Sequence, residues 1–321
     1  MNRRAMLTRL AACAAPMILP RSAFADVWPS RLVTLVVPYG AGGTNDATAR
    51  LFAEHLSQVL PNRVVVENRP GAQGNVGAEF AARAAPDGYT LVLLGAAVGN
   101  NLAFGPKPKF ELGKAFQLIG LVNQAPTVLL ARSELGVRTV QEMVALTKTK
   151  PNQLTLGGGQ IDHYVELLKR RSGAQYRGVP YRTSPQALTD AIAGHIDLVL
   201  ALLPTALPLI GEKLIPLAVS SRARSTVLPD VPTYAEAGLK DAEIESWMGI
   251  AAPAGTPQPI VERVAQEVGV FVRSPATRKH MQGLGMEPAP ETTPESFTRY
   301  AAQDAERWLR IAREFGMAVG G

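Results

Sequence analysis

Two glycine-rich segments, each joined to a short apolar run, constrain this chain most: V-V-P-Y-G-A-G-G-T-N-D over 36–46 and V-V-V-E-N-R-P-G-A-Q-G-N-V-G-A over 64–78. The run 32–37 is almost continuously apolar, as a parallel strand buried on both faces should be. A helix follows from about Asn45, with Leu51, Phe52, Leu56 and Val59 on one side, and 64–66 is the next strand. A helix over 75–84, a Pro-Asp-Gly turn at 86–88 and a strand over 90–94 complete β-α-β-α-β. Such alternation predicts an α/β fold with parallel strands and right-handed crossovers. Each glycine loop then puts backbone N–H groups at a helix start, where donors lack intrahelical partners and the macrodipole is positive. That arrangement binds anions.

The pattern restarts beyond a Gly/Pro/Asn-rich stretch over 99–109. A strand is expected at 127–130, a helix opened by the capping box T-V-Q-E at 139–142, a strand at 154–156 and a helix over 161–171. A helix with Ser184 as cap and Pro185 in its first turn, and a buried strand over 196–203, complete a second α/β unit. Strands at 214–219 and 246–252 precede a helical C-terminal region, whose simplest use is to wrap the first unit. Two lobes follow, 26–123 plus 222–321 and 124–221, joined by crossings near 121–126 and 218–222. A cleft between lobes is the expected ligand site.

Residues 1–25 read as a secretory signal. Arg3, Arg4 and Arg9 make a basic start, 10–19 is mostly apolar, and Ala23-Phe24-Ala25 fits small-x-small cleavage before Asp26. The Arg3-Arg4 pair also fits twin-arginine export. Cleavage takes the basic residues from 33 to 29 against 27 acidic ones, so the exported chain carries +2 rather than +6. Overall basicity therefore gives no reason to expect nucleic acid or membrane as a partner. The one cysteine, Cys13, leaves with the signal, which excludes disulfides and thiol chemistry from the exported chain. No later apolar run reaches the roughly 18 residues of a membrane span.

Neither glycine loop ends in Gly-Lys-Ser/Thr, and no lysine or arginine lies between Val33 and Arg50. An anion held by backbone dipoles and hydroxyl or amide side chains is better matched by a carboxylate than by a triphosphate. There is no G-x-S-x-G elbow, and His55, His163, His195 and His280 form no metal-spaced pair. His55 and His195 read as structural or surface groups. Trp247, in E-S-W-M-G, reads as a wall of the cleft, with core packing as the other reading.

The segments V-V-P-Y-G-A-G-G-T-N-D, V-V-E-N-R-P-G-A-Q-G-N-V-G-A, A-P-D-G-Y-T-L, V-P-Y-R-T-S-P-Q-A-L-T-D, L-P-D-V-P-T-Y-A-E-A-G-L, S-W-M-G-I and A-P-A-G-T-P occur in order along the chain. In these it resembles the periplasmic solute-binding proteins of tripartite tricarboxylate transporters, the Bug receptors. The resemblance implies a two-lobed, type II-like periplasmic binding fold with a hinge and an interlobe cleft. It further implies a monomer that closes on a small carboxylate and presents it to membrane subunits, without a cofactor and without catalysis. Carried over residue by residue, the ligand contacts would be Tyr39, Gly42, Gly43, Thr44 and Asp46 from the first loop, with Gly74 and Asn75 from the second.

In the second lobe the chain departs from the family's pattern. The segment Gly157-Gly158-Gly159-Gln160-Ile161-Asp162-His163 keeps the helix histidine but lacks the usual hydroxyl residues. Ala201-Leu202 stands where Asp or Asn often precedes Leu-Pro-Ser/Thr-Ala. Gln160, His163 and Ala201 are therefore expected to decide which acid is taken. The loss of polar partners points to a monocarboxylate with an apolar or aromatic tail. A ligand sensor for signalling and a secreted α/β enzyme acting on an organic acid are the competing readings.

Overall fold

The computed structural model describes residues 28–159, 162–181, 183–243 and 245–316. The signal segment and Gln160 lie outside the described residues. In chain order the elements are β1 (Val33–Val37), α1 (Thr44–Val59), β2 (Val64–Asn68), α2 (Asn75–Ala82), β3 (Thr90–Gly95), α3 (Ala97–Ala103), α4 (Leu112–Ala115) and β4 (Phe116–Arg132). There follow α5 (Val140–Thr149), β5 (Thr155–Gly159), α6 (Asp162–Ser172), β6 (Arg177–Tyr181), α7 (Ser184–Ala193), β7 (Leu198–Leu202), α8 (Leu203–Ala206) and β8 (Leu214–Val219). The last are β9 (Glu245–Pro253), α9 (Gln258–Arg273), α10 (Pro275–Gly283), β10 (Glu287–Pro288) and α11 (Pro294–Glu314).

The strand order is β2-β1-β3-β9-β4-β7-β5-β6, with β8 and β10 also pairing β4. The apolar runs make the parallel pairs, β1 with β2 and β3, and β5 with β6 and β7. Strand β9 is antiparallel to both β3 and β4. The 17-residue β4 belongs to two sheets. From Phe116 to Pro126 it pairs with β9, and from Thr127 onward with β7 and β8. The chain returns between β8, which ends at Val219, and β9, which begins at Glu245.

Three expectations need correction. The stretch 116–126 belongs to the same strand as 127–132, because Gln117, Asn123, Gln124 and Pro126 break an apolar run that backbone pairing carries through. The start of the Gly/Pro/Asn-rich stretch, to which the sequence assigns no element, belongs to helix α3. Helix α7 is capped from Thr183, with Ser184 its first residue.

The C-terminal helix does not merely wrap the first sheet. Thr293 starts α11, its hydroxyl accepting from the Ser296 N–H at 3.1 Å, with Pro294 in the first turn. Phe297 and Ala301 then enter the core around the first sheet, whereas Trp308, Ile311 and Ala312 enter the core around the second. One 21-residue helix thus spans both cores.

Candidate functional site

The first loop is fixed by Asp46. Gly42, at φ +82°, aims its N–H back at Asp46 Oδ2 at 2.9 Å. Arg50 Nε donates to the same oxygen at 2.9 Å, and Asn68 Nδ2 donates to Oδ1 at 2.9 Å and to the Tyr39 carbonyl at 3.1 Å. The hydrogen bond from Arg50, helped by those from Gly42 and Asn68, outweighs burial and holds the Asp46 carboxyl at about 2. Asp46 is therefore a buried, ionised strut of the loop. Expected as a ligand contact, it is instead engaged by three donors of the protein. Gly43 caps α1 without a side-chain hydrogen bond, so among the described residues no side chain accepts from the first amides of that helix.

Tyr39 lies across this loop from the second one. A Cβ on Gly74 would sit 3.4 Å from its ring, and a Cβ on Gly95 would sit 2.6 Å from its hydroxyl. Gly95 thus makes the space for the phenol. Burial pushes the Tyr39 hydroxyl well above the usual range, which keeps it protonated as a donor. Among the described residues that hydroxyl has no hydrogen-bond partner.

The second loop is strained and braced. Gly71 and Gly74 have φ of 139° and 95°, and the non-glycine residues Ala72 and Gln73 have φ of 45° and 52°. Left-handed non-glycine residues cost of order 1–3 kcal/mol each and persist where surrounding contacts enforce them. Here Asn101 Nδ2 donates to the Gln73 carbonyl at 3.2 Å and to Asn75 Oδ1 at 2.9 Å, while Asn75 Nδ2 donates to the Pro106 carbonyl at 2.5 Å. The Asn75 side chain is thereby engaged within the protein, and what it offers a ligand is its place at the start of α2. Gly77 draws the two loops together: a Cβ there would lie 2.7 Å from the Arg69 carbonyl oxygen and 2.8 Å from Pro38 Cα. Tyr39, Gly42, Gly43, Thr44, Gly74 and Asn75 consequently share one edge of the first sheet, at the carboxyl ends of its parallel strands.

The second sheet meets expectation less well. His163, in the first turn of α6, stacks on Phe104 with centroids 4.6 Å apart and meets Trp308 edge-on at 5.6 Å. Burial pushes its pKa down to about 4, and its Nε2 is enclosed without a partner among the described residues. At neutral pH it is uncharged, so it offers no cation to a carboxylate. Ala201 is fully buried on β7 opposite Val128, inside a core, so its identity carries no information about a ligand. Trp247 is likewise fully buried. Its Nε1 donates to Asp304 Oδ2 at 2.8 Å and its ring meets Phe297 edge-on, so it is core and not a cleft wall.

Asn68, Gly95 and Asn101 shape the site beyond the residues expected from the sequence, and Asn68 stands inside the quoted glycine-loop motif. His55 pairs with Glu267 at 3.0 Å, and His195 lies on the surface beside Asp190. No group of three or more His, Cys, Asp or Glu suited to a metal ion occurs among the described residues. A separate cavity of about 530 Å³ opens where the strands cross, lined by Gln124, Pro126, Arg222, Glu245 and Tyr300 among others. It shares no lining residue with the loops. Its wall carries Arg222, Arg224 and Arg299 beside Glu245, Glu287 and Glu291, so its charges balance.

Over residues 48–317 the chain matches the family described as tripartite tricarboxylate transporter family receptor. It is 33% identical to the UPF0065 protein of the TAR-I ttuE-ttuC' intergenic region of Agrobacterium vitis, covering 98% of this chain and 92% of that one. It is 30% identical to Protein BugT of Bordetella pertussis, covering 91% of each. Among solved structures, R. palustris Rpa4515 with adipate superposes with a TM-score of 0.79 at 32% identity, covering 90% of this chain and 98% of that one. Periplasmic binding protein BugD superposes with a TM-score of 0.77 at 31% identity, covering 90% and 99%. MatC from Rhodopseudomonas palustris with bound malate gives 0.76 at 29% identity, covering 88% and 99%. No helix among the described residues is long and apolar enough to cross a membrane.

Proposed function

The chain belongs to the tripartite tricarboxylate transporter receptor family, and we propose that it is an exported receptor that captures a small organic carboxylate and hands it to membrane transport subunits. In this reading it works in the periplasm after loss of residues 1–25 and turns over no substrate. The lobes 26–123 plus 222–321 and 124–221 close on the ligand, with the last turns of α11 riding on the second.

One observation carries the reading. Two helix starts and an unpartnered, protonated phenol converge at a single edge, and the carboxylate inside the first loop, Asp46, is neutralised by Arg50. Backbone amides at a helix start favour an anion, and the Tyr39 hydroxyl adds a donor. Similar proteins were solved with adipate and with malate, both small organic carboxylates.

Purified protein, screened calorimetrically against aliphatic, aromatic and hydroxylated acids and their amides, tests this. Binding of at least one acid, lost on conversion to the amide and without release of product, is expected. Failure of every acid, or chemical conversion of one that binds, would overturn the proposal.

A further inference from the structure

Helix α3 has only seven residues, yet its side chains reach both sheets. Asn101, 1% exposed, holds the strained second loop through the Gln73 carbonyl and the Asn75 side chain. The preceding residue, Asn100, donates from Nδ2 to the Tyr164 hydroxyl on α6 at 2.5 Å. Just past the helix end, Phe104 stacks on His163, also on α6, and meets Trp308 of α11 edge-on at 5.8 Å. Gly99 lies against α11 itself, where a Cβ would sit 3.4 Å from Asp304 Oδ2 and 3.6 Å from Ala305 Cα. Ala103 belongs to the core of the second sheet, although α3 follows directly from β3 of the first.

We propose that α3 ties the second glycine loop to α6, with Asn100 and Phe104 as positioning residues for ligand binding. The proposal rests on the receptor reading for its ligand, but its structural part stands without one. The two contacts of Asn100 and Asn101 are one residue apart on a single helical turn. A movement of α6 away from the first sheet must therefore either break the Asn100–Tyr164 bond and the Phe104–His163 stack, or drag α3 and with it the loop. In the first case opening costs those contacts, and in the second the loop geometry follows how far the halves are open. Apparent affinity then falls by the fraction of molecules that leave the binding-competent arrangement.

Inert packing would give the same contacts with a different outcome, and variants separate the two. Tyr164→Phe removes one hydroxyl and keeps the ring, so it spares the aromatic cluster, and Asn100→Ala removes the other partner. Arg83→Cys, at the end of α2, and Lys148→Cys, in α5, are both exposed and carry spin labels on opposite halves, and Cys13 leaves with the signal. Interlabel distances of the ligand-free protein, measured by pulsed electron resonance, are expected to be narrow in the parent. In either variant they should broaden toward longer values. The affinity for whichever acid binds should fall by about three- to tenfold, as expected for one lost hydrogen bond. The double variant should be no weaker than the single ones, because both remove the same bond. Unchanged distances, or effects that multiply in the double variant, would overturn the tie. If no acid binds but the distances still shift, the receptor reading fails and the tie survives.

Discussion

Replacing Asp46 by Asn separates a strut from a ligand contact. Three donors converge on this carboxylate: the Gly42 N–H, Arg50 Nε and Asn68 Nδ2. A carboxamide has a single oxygen acceptor and brings an NH2 of its own, so at least one of those donors would face another donor. The carboxyl is held at about 2 against an ordinary 3.8, a difference worth about 2.4 kcal/mol at 1.36 kcal/mol per unit. Arg50 is 55% exposed, and solvent screening cuts this to about 1–1.5 kcal/mol. Because the folded value lies below the unfolded one, this stability is fully present above about pH 4 and is lost as the pH falls through about 2. At neutral pH the variant should melt roughly 2–6 °C lower, at about 2–4 °C per kcal/mol for a chain of this size. The gap from the parent should shrink as the pH approaches 2. Titration calorimetry should then show weakened binding of every acid alike, since the loop carrying the amides is loosened. Unchanged melting together with a changed ranking of acids would refute this reasoning, because it would make Asp46 a direct ligand contact.

Tyr39→Phe removes a donor that lacks a partner within the described protein, so melting should stay within about 0.5 kcal/mol while acid affinity falls about three- to tenfold in calorimetry. Gly77→Ala forces a methyl group against the backbone of Arg69 and Pro38. It should cost about 1–3 kcal/mol in denaturant unfolding and weaken acid binding, because it parts the two loops. His163, pushed down to about 4 from 6.5, stays neutral in the folded chain while the unfolded chain gains its proton first. It should therefore lower stability as pH drops from about 6.5 to 4, by at most about 3.4 kcal/mol. Asp304 and Glu245, which burial pushes upward, oppose that trend, so the difference between the parent and His163→Gln across this window is the quantity to measure.

The strands and glycine loops of the first sheet were legible because parallel strands buried on both faces carry their signal in the sequence itself. The sheet-switching half of β4 was not, since Gln117, Asn123 and Gln124 interrupt its apolar run and only pairing with β9 makes it a strand. Helix α3 hid behind glycine and asparagine, which read as loop until Gln73, Asn75 and Tyr164 supply partners distant in sequence. Trp247 and Ala201 failed for a shared reason. Which face of a strand is covered depends on elements packed on it from elsewhere, here Phe297 for the tryptophan. A histidine after a glycine run likewise announces a helix start, but its stack on Phe104, and so its neutrality, comes from a segment some sixty residues earlier.

The most direct measurement is a crystal structure of the protein with an acid that raises its melting temperature. The account predicts one carboxylate of that acid against the first amides of α1 and the Tyr39 hydroxyl, with Asp46 still bound to Arg50. An acid seated elsewhere, such as beside Arg222 in the cavity at the strand crossing, with Tyr39 and the glycine loops empty, would contradict it.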